Sequence, residues 1–278
     1  MSKKLNKSFL INLYHNFASD LKRVRSYQRK LYAQHAYSGF EKYITERFVP
    51  WLSKALYKES GVQLYIAMRT IIEKFEERNK NIRMKPQLCD IEAELTYLLI
   101  REFKPESIVE IAPCGGWSST WLLNALKDNG FGNLYSYDLI DLATKIVPSD
   151  LSKGRWTFIQ GDITKNLKKL PSKIDYLFLD ADHTADFARW YICKLFPKLN
   201  PGVPVSIHDV FYREHPPSGF EGGVVVRWLQ KNQINYFSAA PEKDEDLFFK
   251  INAVKKKLNF EIPIHFPQVN SMLFFLIQ

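Results

Sequence analysis

What this sequence is short of narrows its reading first. Only three cysteines occur in 278 residues. Cys89, Cys114 and Cys193 are an odd number without metal-ligand spacing, which fits a reducing cytoplasm rather than a disulfide framework. No run of 18 apolar residues is present, so no segment reads as a membrane span. The opening MSKKLNKSFLINLYHNF is basic and then apolar, but Asn12, His15 and Asn16 break the apolar part and no small-residue cleavage site follows. A secretory signal is therefore not expected. Internal repeats and low-complexity tracts are also missing.

What is present is ordinary globular composition, 46% apolar and 25% charged, enough for one large domain and an appendage. The net charge of +9 is uneven: residues 1–50 carry ten Lys or Arg against three Asp or Glu. Lys22, Arg23, Arg25, Arg29 and Lys30, interleaved with Tyr27 and Tyr32, form a basic arm. It reads as a solvated helix face or as a grip for nucleic acid or another anionic surface. Residues 1–86 read as a basic helical extension that would serve as lid, dimer surface or tether. The polar stretch EERNKNIRMKPQ around Pro86 is the best linker. Next, LCDIEAELTYLLIREF has apolar residues at 88, 91, 95, 98, 99 and 103, predicting a helix on the edge of a sheet that closes over the ligand site.

Residues 87–278 form the second unit, where strands and helices alternate, which predicts an α/β fold with a doubly wound, mostly parallel sheet. The strand candidates are 107–112, 133–138, 156–161, 174–180, 203–208, 234–239 and 271–277. Most are continuous apolar runs, as expected of strands covered on both faces. Between the last two lies a charged insertion, 240–270, that would shape the pocket.

Three of these strands end in carboxylates. The run SIVEIAPCGGWSSTW is a strand carrying Glu110, a turn of Ala112, Pro113, Cys114, Gly115 and Gly116, and a helix start at Ser118, Ser119 and Thr120. A loop of small residues lets the backbone approach a ligand, and a helix start offers free N–H groups. Asp138 closes the second strand, where a carboxylate can take ribose hydroxyls. Asp162 closes the third. The fourth strand ends in Asp180, Ala181, Asp182 and His183, and the fifth delivers His208 and Asp209 to the same rim. Carboxylates with imidazoles can surround a divalent cation or move a proton.

This pattern resembles the class I S-adenosylmethionine-dependent methyltransferases, most closely their metal-dependent branch acting on hydroxyls of small molecules and sugars. The resemblance implies a Rossmann-like seven-stranded sheet whose last strand is antiparallel, inserted between the fifth and sixth. It also implies S-adenosylmethionine as cofactor. Glu110 with Ala112, Pro113, Cys114, Gly116, Ser118 and Ser119 would face its methionine part, Asp138 the ribose, and Asp162 with Ile163 the adenine, with Asp180 close by. Ala112 and Cys114 stand where the family's loop usually has glycine. The cation ligands, for magnesium or manganese, map to Asp180, His208 and Asp209. His183 takes the place of a proton-accepting lysine, so His183, His208 and Asp209 are the catalytic candidates, with metal-free base catalysis also open.

The acceptor would be a small molecule or saccharide, and a homodimer is a further expectation. Methylation of base amino groups is not expected, because Asp-Ala-Asp-His replaces Asn-Pro-Pro-Tyr. Cytosine methylation lacks its Pro-Cys at the fourth strand, and the Lys-Asp-Lys-Glu arrangement of ribose methylation is missing. Two rival readings are a glycosyltransferase using Asp180-x-Asp182 and a non-catalytic nucleic-acid- or membrane-binding protein.

Overall fold

The computed structural model describes residues 87–147, 149–257 and 269–278. The basic extension, residues 1–86, lies outside the described residues, as does part of the 240–270 insertion. Among the described residues, no helix is long and apolar enough to cross a membrane.

Seven strands, β1 Ser107–Ile111, β2 Asn133–Asp138, β3 Trp156–Gln160, β4 Tyr176–Leu179, β5 Pro204–Ile207, β6 Tyr236–Phe237 and β7 Leu273–Leu276, form one sheet in the order β3-β2-β1-β4-β5-β7-β6. β1 to β5 pair in parallel, and β7 runs antiparallel between β5 and β6. Both the sheet and the inserted last strand therefore match expectation. The sixth strand is only two residues long, although six were predicted. Ile234 and Ser238 are buried, so the apolar pattern there marks packing rather than a longer ladder.

The sequence pattern explains where each strand sits. β1, β4 and β5 are buried at every position and occupy the middle, where helices cover both faces. β3 is half exposed because it is the edge. Val109, Leu177, Val205 and Leu273 share one core with residues of the covering helices, including Tyr191, Val225 and Leu229. Leu177 is fully buried, so its truncation to alanine should cost roughly 2–5 kcal/mol.

The helices that matter for the site are α1 Asp90–Phe103, α2 Trp117–Asn129, α5 Ala185–Lys194 and α6 Glu221–Lys231; short α3 Ala143–Ile146 and α4 Ser149–Ser152 follow β2, and α7 Glu245–Lys257 precedes β7. α1 differs from its prediction. It packs on α2 rather than at a sheet edge, Phe103 is 43% exposed, and Asp90, Glu92, Glu94 and Thr96 are buried on the face expected to be polar. The buried acids have partners: Glu94 pairs with Lys255 of α7, and Glu92 accepts from the Met272 amide at 2.8 Å. Gly222 and Gly223 lie in the first turn of α6. A Cβ at Gly223 would lie 2.2 Å from the Pro217 carbonyl oxygen, so only glycine lets the 210–218 loop approach this helix.

The chain runs outward from β1 to β3, then returns to β4 on the other side of β1. Parallel sheets bind ligands beyond the carboxyl ends of their strands at such a switch point. The tips of β1, β2, β4 and β5 converge there.

Candidate functional site

A cavity of about 810 Å³ opens at this switch point. On one side, its wall includes Ala112, Cys114, Asp138, Asp162 and Ile163; on the other, Asp180, Asp182, His183, His208, Asp209 and Tyr212. The expected residues from all five parallel strand tips thus meet around one space, with five exceptions and one qualification.

The exceptions lie around the first loop. Glu110 is fully buried beneath it, accepting hydrogen bonds from Ser118 Oγ at 2.6 Å, Ser119 Oγ at 2.7 Å and Ser136 Oγ at 2.5 Å. Burial pushes its carboxyl pKa up, and the three serine hydroxyls pull against that shift. Glu110, Ser118 and Ser119 therefore stand behind the cavity wall, against the expectation that they face a ligand. The reason is register. Ser136 of β2 lies directly opposite Glu110, and α2 brings two further hydroxyls, so a carboxylate on a fully covered strand finds all its partners inside the fold. Pro113 is buried and also outside the wall, as is Gly116, where a Cβ would meet Val147 Cγ2 at 2.4 Å. What these residues do is shape the loop. Ala112 and Cys114 hold left-handed backbone at φ 62° and 47°, a conformation that costs a residue with a Cβ about 1–2 kcal/mol. The loop keeps the path that glycines usually take, at the expense of strain.

Asp138 ties that loop down. Its Oδ2 accepts from the Cys114 amide at 2.9 Å and its Oδ1 from the Ile140 amide at 3.2 Å. Each oxygen keeps a second acceptor direction. Asp162 caps the turn at Ile163–Lys165, accepting from the Thr164 amide at 2.9 Å and from Thr164 Oγ1 at 2.7 Å. The Thr164 bonds hold its carboxyl below the usual carboxylate range.

The qualification concerns the opposite wall, where the two histidines differ. His208 is 6% exposed, and both of its ring nitrogens are engaged: Nδ1 lies 3.1 Å from Asp180 Oδ1 and 3.1 Å from Asp209 Oδ1, and Nε2 lies 3.3 Å from Glu92 Oε2. Burial works against its charge, yet the Asp180 and Glu92 carboxylates outweigh that and hold its pKa well above the usual histidine value. Both ring nitrogens of His208 thus face carboxylates, and the group of donor atoms that lie within 4.8 Å of one another is Asp180, His183 and Asp209, without His208.

His183 is the more open of the two, its side chain 41% exposed against 8% for His208. Its Nε2 lies 3.4 Å from Asp209 Oδ2 and 3.9 Å from Asp180 Oδ1, and Asp180, His183 and Asp209 bring one donor atom each within 4.8 Å of one another. Its Nδ1 lies 2.9 Å from Glu221 Oε2, and this bond, opposed by burial, raises the histidine pKa. Asp209 is held at φ 57° and accepts from Tyr212 Oη at 2.5 Å and Ser271 Oγ at 3.1 Å.

Two functional candidates escaped the sequence reading, Glu92 and Glu221. Each is a buried acid in the first turn of a helix, where an acidic residue ordinarily signals no more than a favourable helix dipole.

Comparison with known proteins agrees with this architecture. Residues 109–210 match a family model described as a methyltransferase domain. No curated protein matches the chain. A candidate O-methyltransferase from Klebsiella pneumoniae superposes with a TM-score of 0.52 at 16% identity, covering 83% of this chain and 96% of that one. The O-methyltransferase TomG from Streptomyces achromogenes, involved in tomaymycin synthesis and solved with S-adenosylmethionine, gives 0.48 at 17% identity over 74% and 89%. The matched segment runs from within β1 through β5 and includes Asp138, Asp162, Asp180, His183, His208 and Asp209, so that this part of the chain resembles a methyltransferase domain and the sheet has a Rossmann-like methyltransferase fold.

Proposed function

We propose that this methyltransferase acts on oxygen, methylating a hydroxyl of a small molecule or saccharide. The observation that carries the reading is the placement of His183 Nε2 at the cavity wall beside Asp180 and Asp209, with the other ring nitrogen engaged from behind by Glu221. A hydroxyl is a weak nucleophile at neutral pH, and a base in this position can take its proton as the oxygen attacks. No cysteine nucleophile and no amide for holding a base amino group stand at the tip of β4.

The residues present fit the donor. A cavity of about 810 Å³ is large enough for an adenosyl-methionine group. Asp138 has acceptor capacity left for ribose hydroxyls, and Ile163 offers an apolar wall for a purine. When bound, the donor supplies an electrophilic methyl group on sulfur. The chain orients the acceptor oxygen towards it and removes its proton.

A divalent cation also fits, through Asp180, His183 and Asp209 rather than the set with His208. Two carboxylates and one imidazole suit manganese better than magnesium, and such a cation would lower the pKa of an acceptor hydroxyl. His183 would then be its ligand in place of a free base.

The deciding experiment is transfer of labelled methyl from S-adenosylmethionine to a panel of catechols and saccharides, with and without EDTA. Label in a methyl ether supports the proposal, and loss of turnover with EDTA assigns the cation. S-adenosylhomocysteine binding combined with label only on nitrogen or carbon acceptors would overturn it.

A further inference from the structure

We infer that Glu221 is a positioning residue which fixes the tautomer of His183, placing the ring proton on Nδ1 so that Nε2 presents its lone pair to the cavity. The inference rests on the reading of His183 as the group that meets the acceptor or the cation.

Glu221 holds His183 twice. Its side chain faces Nδ1 at 2.9 Å, and its backbone amide donates to the His183 carbonyl at 3.1 Å. A bridge between Thr184 and Phe220 pins the two segments beside these bonds. The glycines after Glu221 complete the clamp. At Gly222 a Cβ would lie 2.9 Å from the Val210 carbonyl oxygen, so the first turn of α6 packs this closely on the loop after β5 only because residue 222 carries no side chain. Glu221 itself is 3% exposed and outside the cavity wall, so it acts through His183 and not on a ligand.

The chemistry of the pairing decides the proton's position. A neutral imidazole donates from one nitrogen and accepts at the other, while an ionised carboxylate only accepts. Carboxylates flank both sides of this ring, and they compete. Asp209 Oδ2 lies 3.4 Å from Nε2, farther than Glu221 lies from Nδ1, and its side chain is more exposed, 18% against 3%. The shorter, drier contact wins the proton and leaves Nε2 bare. Without Glu221, the remaining carboxylates would draw the proton to Nε2 and close the ring to both base and ligand roles. An acid in the first turn of a helix has an ordinary explanation in the helix dipole, but that role would not care which ring nitrogen of His183 is protonated.

The test uses full-length protein labelled with ¹⁵N-histidine, with NMR at alkaline pH where the ring is neutral. In the native protein His183 is expected as the Nδ1–H tautomer. In Glu221→Gln, whose amide can donate as well as accept, the Nε2–H form should gain at least about tenfold, since hydrogen bonds to charged groups are worth about 1.5–3 kcal/mol. Glu221→Asp, which keeps an acceptor-only group, should retain Nδ1–H. A Glu221→Gln ring that keeps the native tautomer would overturn the inference. Calorimetry with S-adenosylhomocysteine on the same samples separates the two readings. A tautomer switch in a protein that never binds this ligand would leave the Glu221–His183 assignment standing while removing the methyl-transfer reading.

Discussion

The two halves of the cavity rim use carboxylates in opposite ways. Around β1, β2 and β3, the acids bond to neutral donors: Glu110 to three serine hydroxyls, Asp138 to two backbone amides, Asp162 to Thr164. Around β4 and β5, Asp180 and Asp209 sit against two imidazoles, each backed by a buried glutamate. The first half is built to hold a shape, because hydroxyl and amide donors do not titrate. The second is built to hold protons, because histidine does. On the proposed function, binding and proton handling are separated across the switch point, and they should fail separately.

The sharpest way to break that separation is His183→Ala. It should lower methyl transfer by roughly 10²- to 10⁴-fold, the usual worth of a general base, while S-adenosylhomocysteine binding measured by calorimetry stays within about twofold. A matched loss of donor affinity would show that the halves are not independent.

His208→Ala comes next, and its effect should fall on stability. Removing the imidazole leaves Glu92 and Asp180 without their shared partner, at a cost of about 3–5 kcal/mol in chemical denaturation. The pH dependence has a definite sign. A histidine whose folded pKa is raised contributes fully below its unfolded pKa near 6.5, and that contribution disappears as pH rises through the folded value. The native protein should therefore lose melting temperature at alkaline pH, and His208→Ala should flatten that loss.

On the other half, Asp138→Ala should weaken S-adenosylhomocysteine by roughly 10- to 100-fold, for one or two hydroxyl bonds to a charged acceptor. The fold should be little changed, as circular dichroism would show. The smallest effect is expected from Asp162→Ala, which removes a cap over a single short turn. With a side chain 36% exposed, it should cost under about 1 kcal/mol in thermal melts.

Much of this was legible from residue order. Apolar runs of strand length ending in Glu110, Asp138, Asp162 and Asp180, separated by helical periods, suffice for a doubly wound sheet, because only strands covered on both faces read as continuous apolar runs. The carboxyl-end rule then places four of the five rim sites without coordinates. Side-chain direction was less accessible. Glu110 sits one residue before the end of β1 and points among serines, whereas Asp138, the last residue of β2, reaches the cavity. One position along a strand decides between core and rim.

The division between the two sources of knowledge follows from range. Sequence by itself determined the sheet and the strand ends that form the rim, since these depend on local periodicity. Tertiary structure alone decided which histidine is free. Glu92 lies more than a hundred residues from His208, and Glu221 arrives from a helix that glycines allow to press against the loop after β5. Two histidines of the same kind at adjacent strand tips become a buried ring enclosed by carboxylates and a more open one through the groups that folding places behind them, and nothing local to either residue encodes that choice.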